Sequence, residues 1–140
     1  MTYLYSNSGN QSTSSRSLKI SKTILQNWSF VFNNGYHPNG RIWVGWDPSV
    51  LNVDIVHASS QLIHVSATIL DKACSFFATF VYGFYTTQER TSLWSDICQI
   101  ATNTSHLPWI LLGDFNVVRF ASEKVGGDPS WPPYMDHFNI

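Results

Sequence analysis

Pro108-Trp109-Ile110-Leu111-Leu112-Gly113-Asp114-Phe115-Asn116 is a continuous apolar run that ends abruptly in Gly-Asp-x-Asn. An unbroken run of this length predicts a strand buried on both faces, as in the middle of an α/β sheet. Asp114 and Asn116 then stand at its carboxyl end, where open α/β sheets place their ligands. Two residues apart in extended backbone, their side chains point to one side. A carboxylate and a carboxamide aimed together suit a metal-bound phosphate. The Asp can ligate the cation or move a proton, and the Asn can donate to a phosphate oxygen. The competing explanation is a strand end with two turn-forming residues, since Asp and Asn are common there.

The preceding segments add weight to the first explanation. Phe76-Phe77-Ala78-Thr79-Phe80-Val81-Tyr82-Gly83 is a second strand-like apolar run. Thr86 and Glu89 follow it at the spacing of a helix capping box. Leu93, Ile97, Ile100 and Ala101 then recur on one helical face. Residues 75–113 therefore predict strand, helix, strand, a βαβ unit. Tyr82 and Asp114 would both end strands of one sheet, so a phenol and a carboxylate can meet in one cleft.

In that order and spacing, Val81-Tyr82-Gly83, Arg90-x-x-Leu93-Trp94, Pro108-Trp109 and Leu112-Gly113-Asp114-Phe115-Asn116 resemble the endonuclease/exonuclease/phosphatase superfamily. The branch resembled is the apurinic-type endonuclease domain of non-LTR (LINE-like) retrotransposons of the plant kind. Gly40-Arg41-Ile42-Trp43-Val44-Gly45-Trp46-Asp47-Pro48 resembles its early hairpin. Ser122-Glu123-Lys124-x-Gly126-Gly127 and Met135-Asp136-His137-Phe138-Asn139 resemble the loop and helix after its Gly-Asp-Phe-Asn. The resemblance covers roughly residues 18–140. It implies an α/β fold, a partial two-sheet sandwich of the endonuclease/exonuclease/phosphatase type, truncated at both ends.

The activity implied by the resemblance is Mg²⁺-dependent cleavage of a DNA phosphodiester. In that family a Glu on an early strand, aided by an Asn before it, chiefly holds the cation. A Tyr and the Gly-Asp-x-Asn pair contact the phosphate, and a late Asp-His pair activates water. Carried over position by position, Tyr82, Asp114 and Asn116 match as catalytic residues, with Asp114 also the metal ligand. Tyr85 departs from the pattern, since the family often has Asn there. The early Asn and Glu motifs have no counterpart, because residues 1–17 contain no acidic residue. The glutamates are Glu89, explained by the cap, and Glu123, in a loop and the candidate replacement ligand. The late Ser-Asp-His motif is also missing. Asp136-His137 does not replace it, because helix neighbours do not face each other. The isolated chain is therefore expected to be inactive. A non-catalytic remnant or interaction module is the rival reading. A phosphatase or phospholipid branch of the superfamily is a second alternative.

Composition narrows the rest. The chain has 140 residues, enough for one domain, with 12% charged against about 25% in typical globular proteins. Net charge is −1 and the pI about 6.5, without the basic stripe of strong nucleic-acid binders. Cys74 and Cys98 lack metal-ligand spacing, which predicts buried free thiols with no disulfide partner. No apolar stretch approaches the ~18 residues of a membrane span, and no signal peptide is visible. The expectation is an intracellular protein, nuclear or cytoplasmic, with DNA as partner.

Along the chain, residues 1–17 are Ser-, Asn- and Thr-rich, which predicts a disordered tail ahead of a domain at 18–140. A short helix is expected over 18–27 and a strand over 28–32. Arg41–Trp46 and Val50–His57, flanking Asp47-Pro48-Ser49, predict a β-hairpin. Gln61–Ile69 alternates and predicts a half-buried strand, pairing with 75–82 across a turn at 70–73. A helix is expected to begin near Tyr134. His57 and His64 fit core or sheet-surface roles. Most of the six tryptophans and nine phenylalanines are expected in the core, with Trp131 exposed. Unpaired sheet edges and low charge predict poor solubility or self-association.

Overall fold

The computed structural model describes Lys19, Thr23 and residues 25–117. The expectations for residues 1–17, for the helix near Tyr134, and for Glu123, Trp131 and Asp136-His137 lie outside the described residues. So does most of the expected helix over 18–27. Within it, Thr23 and Lys19 are helical, and the Thr23 hydroxyl donates to the Lys19 carbonyl at 2.8 Å.

From residue 25 on, the described residues form six strands and one helix, in the order β1 (Ser29–Phe32), β2 (Trp43–Trp46), β3 (Leu51–Ala58), β4 (Leu62–Ile69), β5 (Cys74–Tyr82), α1 (Thr87–Asn103) and β6 (Trp109–Asp114). β1 and β2 form an antiparallel two-stranded sheet. The other strands form a four-stranded sheet in the order β3-β4-β5-β6. Among the described strands only β5 and β6 run parallel, which is what a helical crossover requires. The expected βαβ unit is present, and the whole is a mixed α/β sandwich. Thr86 caps α1, its hydroxyl oxygen accepting from the Glu89 amide at 3.3 Å and its hydrogen going to the Glu89 carboxylate.

Strand parity sorts the core into two clusters. Ile63, Val65 and Ala78 face the small sheet, where Ile42 and Val44 meet them. Leu62 and Val81 face the opposite way and pack on Leu93 and Ile100 of α1. Each fully buried Leu or Ile of this kind contributes roughly 1.5–3 kcal/mol. Under α1 lies a small polar network. The Trp109 indole donates to the Thr79 hydroxyl at 2.8 Å, and that hydroxyl lies 2.8 Å from Nδ1 of His64. Trp109 supplies one hydrogen to the Thr79 oxygen, leaving the Thr79 hydrogen for an acceptor nitrogen on His64.

Several expectations are corrected. β2 and β3 are not a hairpin: β2 pairs with β1, β3 pairs with β4, and the Asp47–Ser49 turn carries the chain between sheets. Val44 of β2 packs face to face on Ile63 and Val65 of β4, so β2 lies over the larger sheet instead of beside β3. β4 is not half-buried: residues 62–65 are all buried, because β4 is covered on both faces. β6 is the reverse case. Its run was expected to be buried on both faces, yet Ile110, Leu111 and Leu112 are 52%, 37% and 42% exposed. Among the described residues it has one neighbour, β5, and lies at the edge of the sheet. Ala101 is exposed beside the buried Ile100. Cys74 and Cys98 are free but exposed, one opening β5 and the other on the outer side of α1. Trp28 and Trp43 are also largely exposed rather than core. No helix among the described residues is long and apolar enough to cross a membrane.

Candidate functional site

Tyr82 ends β5, Asp114 ends β6, and the two are register partners. Side chains at paired positions leave a sheet on one face. Here it is the face covered by the small sheet, since Tyr82 packs against the cluster around Ile42 and Val44. The Tyr82 hydroxyl lies 3.1 Å from that of Tyr85. The Arg41 guanidinium stands over both rings, 5.1 Å from the Tyr82 centroid and 5.7 Å from that of Tyr85. The hydrogen bond with Tyr82, and then the charge of that phenol, raise the Tyr85 pKa; Asp114 adds to this and Arg41 opposes it. Two phenols, a guanidinium and a carboxylate therefore share the carboxyl end of the parallel strand pair.

The loop carrying Tyr85 is held from beneath. Buried Gln61 accepts from the Phe84 amide at 2.7 Å and donates to the Glu89 carbonyl at 2.9 Å and the Ser92 hydroxyl at 3.1 Å. Arg90, also buried, donates to the carbonyls of Phe84 and Tyr85 at 2.7 and 2.8 Å. Burial lowers the Arg90 pKa, with Glu89 opposing, but a guanidinium stays charged in proteins. Its two carbonyl contacts are charge-assisted and hold the loop firmly. On the other side, His37 rests against Phe84 with ring centroids 5.6 Å apart. Its Nδ1 accepts from the Asn39 amide at 3.1 Å. Burial and then the Arg41 charge lower its pKa.

The Gly-Asp-x-Asn end of β6 has a clear local explanation. At Gly113, φ is +140° and an added Cβ would fall 2.0 Å from the Val81 carbonyl, so no other residue fits. Gly83 donates its amide to the Asp114 carbonyl at 2.7 Å. The Asp114 Oδ1 accepts from the Asn116 amide at 2.8 Å. The Asn116 carboxamide donates to the Gly83 carbonyl at 2.5 Å. Asn116 has a φ of +50°, a left-handed conformation that Asn tolerates. The expectation that Asp114 and Asn116 project together from extended backbone is thus corrected. Asn116 lies past the strand and latches the ends of β5 and β6, while Oδ2 of Asp114 has no hydrogen bond among the described residues.

Of the residues singled out in the sequence, Tyr82 and Asp114 are side by side and Asn116 adjoins them through Gly83. Arg41, His37 and Gln61 were not foreseen. Arg41 is far from Tyr82 in the chain, and no motif spacing joins them. Gln61 did carry a signal, as the polar residue directly ahead of the apolar Leu62-Ile63.

Mg²⁺ sites use one or two carboxylates together with waters and substrate phosphate. The strand ends offer the single carboxylate of Asp114, half of it committed to Asn116. No group of three or more His, Cys, Asp and Glu side chains gathers among the described residues. The described donors do not by themselves make a Mg²⁺ site.

No protein-family model matches the sequence, and no curated protein matches it by sequence. Solved structures do match. A mannosyl-6-phosphatase of Bacteroides thetaiotaomicron VPI-5482 aligns with a TM-score of 0.53 and 16% identity, over 73% of this chain and 48% of that one. An endonuclease/exonuclease/phosphatase family protein of Bacteroides thetaiotaomicron aligns with a TM-score of 0.53 and 15% identity, over 74% and 46%. The fold is of the endonuclease/exonuclease/phosphatase type. The chain spans just under half the length of these two structures.

Proposed function

We propose that this chain carries one part of a metal-dependent phosphodiesterase site, of the DNA endonuclease kind found in non-LTR retrotransposons. The observation that supports this most is the pairing of Tyr82 with Asp114 at the ends of parallel strands, under the Arg41 guanidinium. A phenol and a guanidinium donate to phosphate oxygens, and a carboxylate can take a cation or a proton. The order of motifs from Val81-Tyr82-Gly83 to Gly113-Asp114-Phe115-Asn116 favours the endonuclease branch. Mg²⁺ belongs to the proposal through that resemblance. Its remaining ligands would have to come from beyond the described residues, with Glu123 the first candidate.

The chain alone is expected to bind phosphate esters without measurable turnover. Loss of one preorganised group typically costs about 10²–10³ in rate, and groups that act together are lost together. A second reading, a phosphomonoesterase, is favoured by the mannosyl-6-phosphatase among the structures of similar fold. Plasmid nicking with Mg²⁺, beside Asp114→Ala and with mannose 6-phosphate as alternative substrate, separates these. Binding of DNA without nicking above the variant's background is expected. Nicking that vanishes in Asp114→Ala would show a complete nuclease site. Phosphate release from mannose 6-phosphate without DNA binding would move the chain to the phosphatase branch. Binding to neither would leave an interaction module.

A further inference from the structure

Arg41 and Arg90 flank the same loop in opposite ways. Arg90 is buried, and its guanidinium donates to two carbonyls and to the Thr87 hydroxyl. Arg41 is half-buried and makes no hydrogen bond or ion pair among the described residues. A guanidinium has five N–H donors and is costly to withdraw from water without acceptors. Its contacts are the faces of Tyr82 and Tyr85, which attract the cation without using its N–H groups. Among the described residues those donors are therefore open to an anion at the strand ends.

The two phenols extend the same pattern. Their hydroxyls are 3.1 Å apart, so one hydrogen is shared between them and the other remains to donate outward. Asp114, on the same face, would repel a phosphate, and Arg41 is the cation placed to offset it. Tyr85 is 66% exposed on a loop fixed by Gln61 and Arg90. A held but open aromatic ring beside an anion site suits a nucleobase, since every base offers a π-face.

Building on the phosphodiesterase reading, we infer that Arg41 is the phosphate-recognition residue of this site, and that Tyr85 stacks the base next to that phosphate. The ligand class is a polynucleotide strand with an unpaired base. A small phosphomonoester would use Arg41 alone. This gives Tyr85, which departs from the resembled pattern, a purpose of its own: it trades an amide's hydrogen bonds for stacking area.

The test is fluorescence anisotropy of a labelled single-stranded oligonucleotide with the full chain, without metal, across a salt series. A matching oligonucleotide with abasic spacers and free mannose 6-phosphate as competitor form the other arms. Arg41→Gln should weaken binding of both oligonucleotides by roughly tenfold or more, as charge-assisted hydrogen bonds are lost. It should also lower the salt slope by about 0.7, the value for one phosphate contact on a single strand. Arg41→Lys should restore the slope and only part of the affinity, because a point charge replaces a planar fork. Tyr85→Ala should weaken the base-bearing strand by roughly fivefold or more and the abasic strand by clearly less. Tyr85→Phe, which keeps the ring, should keep the preference for the base-bearing strand over the abasic one. Thermal melts of each variant exclude misfolding as the cause. Arg41→Gln binding with unchanged affinity and slope would overturn the inference while leaving the phosphodiesterase reading to the nicking assay. So would equal loss of both strands in Tyr85→Ala, or competition by mannose 6-phosphate as strong as by the oligonucleotide. No binding by the parent chain would overturn this inference and count against the phosphodiesterase reading as well.

Discussion

β5 and β6 are adjacent parallel strands with nearly the same apolar content, yet one is core and the other surface. β5 has β4 on one side and β6 on the other, with Phe77, Ala78, Thr79 and Val81 buried. Among the described residues β6 has β5 alone, and Ile110, Leu111 and Leu112 stay in contact with water. The difference teaches that an apolar run encodes a strand but not its place in the sheet. The functional ends of the two strands differ in the same sense. Tyr82 is anchored by packing under the small sheet, whereas Asp114 is exposed and anchored by its backbone and the Asn116 latch.

The comparison breaks first at Phe77. Its ring lies 5.3 Å from that of His64 and 5.5 Å from that of His106. Phe77→Ala should cost about 3–5 kcal/mol in urea unfolding, as for other buried aromatics. A cost below 1 kcal/mol would mean that β5 is not the core strand it appears as here. Gly113→Ala comes next. The new methyl would strike the Val81 carbonyl in a backbone conformation that L residues rarely adopt. A loss of about 1–3 kcal/mol is expected, with lowered amide protection along the β5–β6 ladder rather than along β3–β4. Equal loss of protection in both ladders would show that the two strands are not separable.

A pH series sharpens the comparison from within. His64 lies on β4 beside Thr79 of β5, and burial, then the charge of His57, lower its pKa from 6.5, with the Ala78 backbone opposing. The unfolded chain therefore binds this proton more readily than the folded one. Stability from this group is complete above about pH 6.5 and falls as pH drops below it. His37 is shifted the same way and adds to the trend. Asp47, held low by its bonds to Ser49, acts only below its ordinary 3.8. Melting temperatures flat from pH 8 to pH 5 would contradict a neutral, buried His64. The smallest effect is expected at Leu112→Lys on β6, within about 0.5 kcal/mol, as for exposed positions. Its consequence should appear instead as reduced self-association in sedimentation, since a charge on an edge strand discourages pairing. Unchanged association would point to another surface, such as Ile55 and Val56 on β3, which are 51% and 55% exposed.

By itself, the sequence determined the strand–helix–strand order of residues 75–113, the Thr86 cap, the β4–β5 pairing across the turn at 70–73, and the placing of Tyr82 and Asp114 at strand ends. These follow from local physics: apolar periodicity, capping chemistry and turn residues act over a few positions, and all lie in the string. Tertiary structure alone decided which strands lie inside, why β2 leaves β3 for β1, and where the side chain of Asn116 goes. It also decided that Arg41 covers Tyr82 and Tyr85 from forty residues away in sequence, an interval of about 40 that no local rule bridges. Burial and long-range cation–π contact depend on which surfaces meet once the sheets stack. That choice is made by the total apolar area covered, not by any one segment.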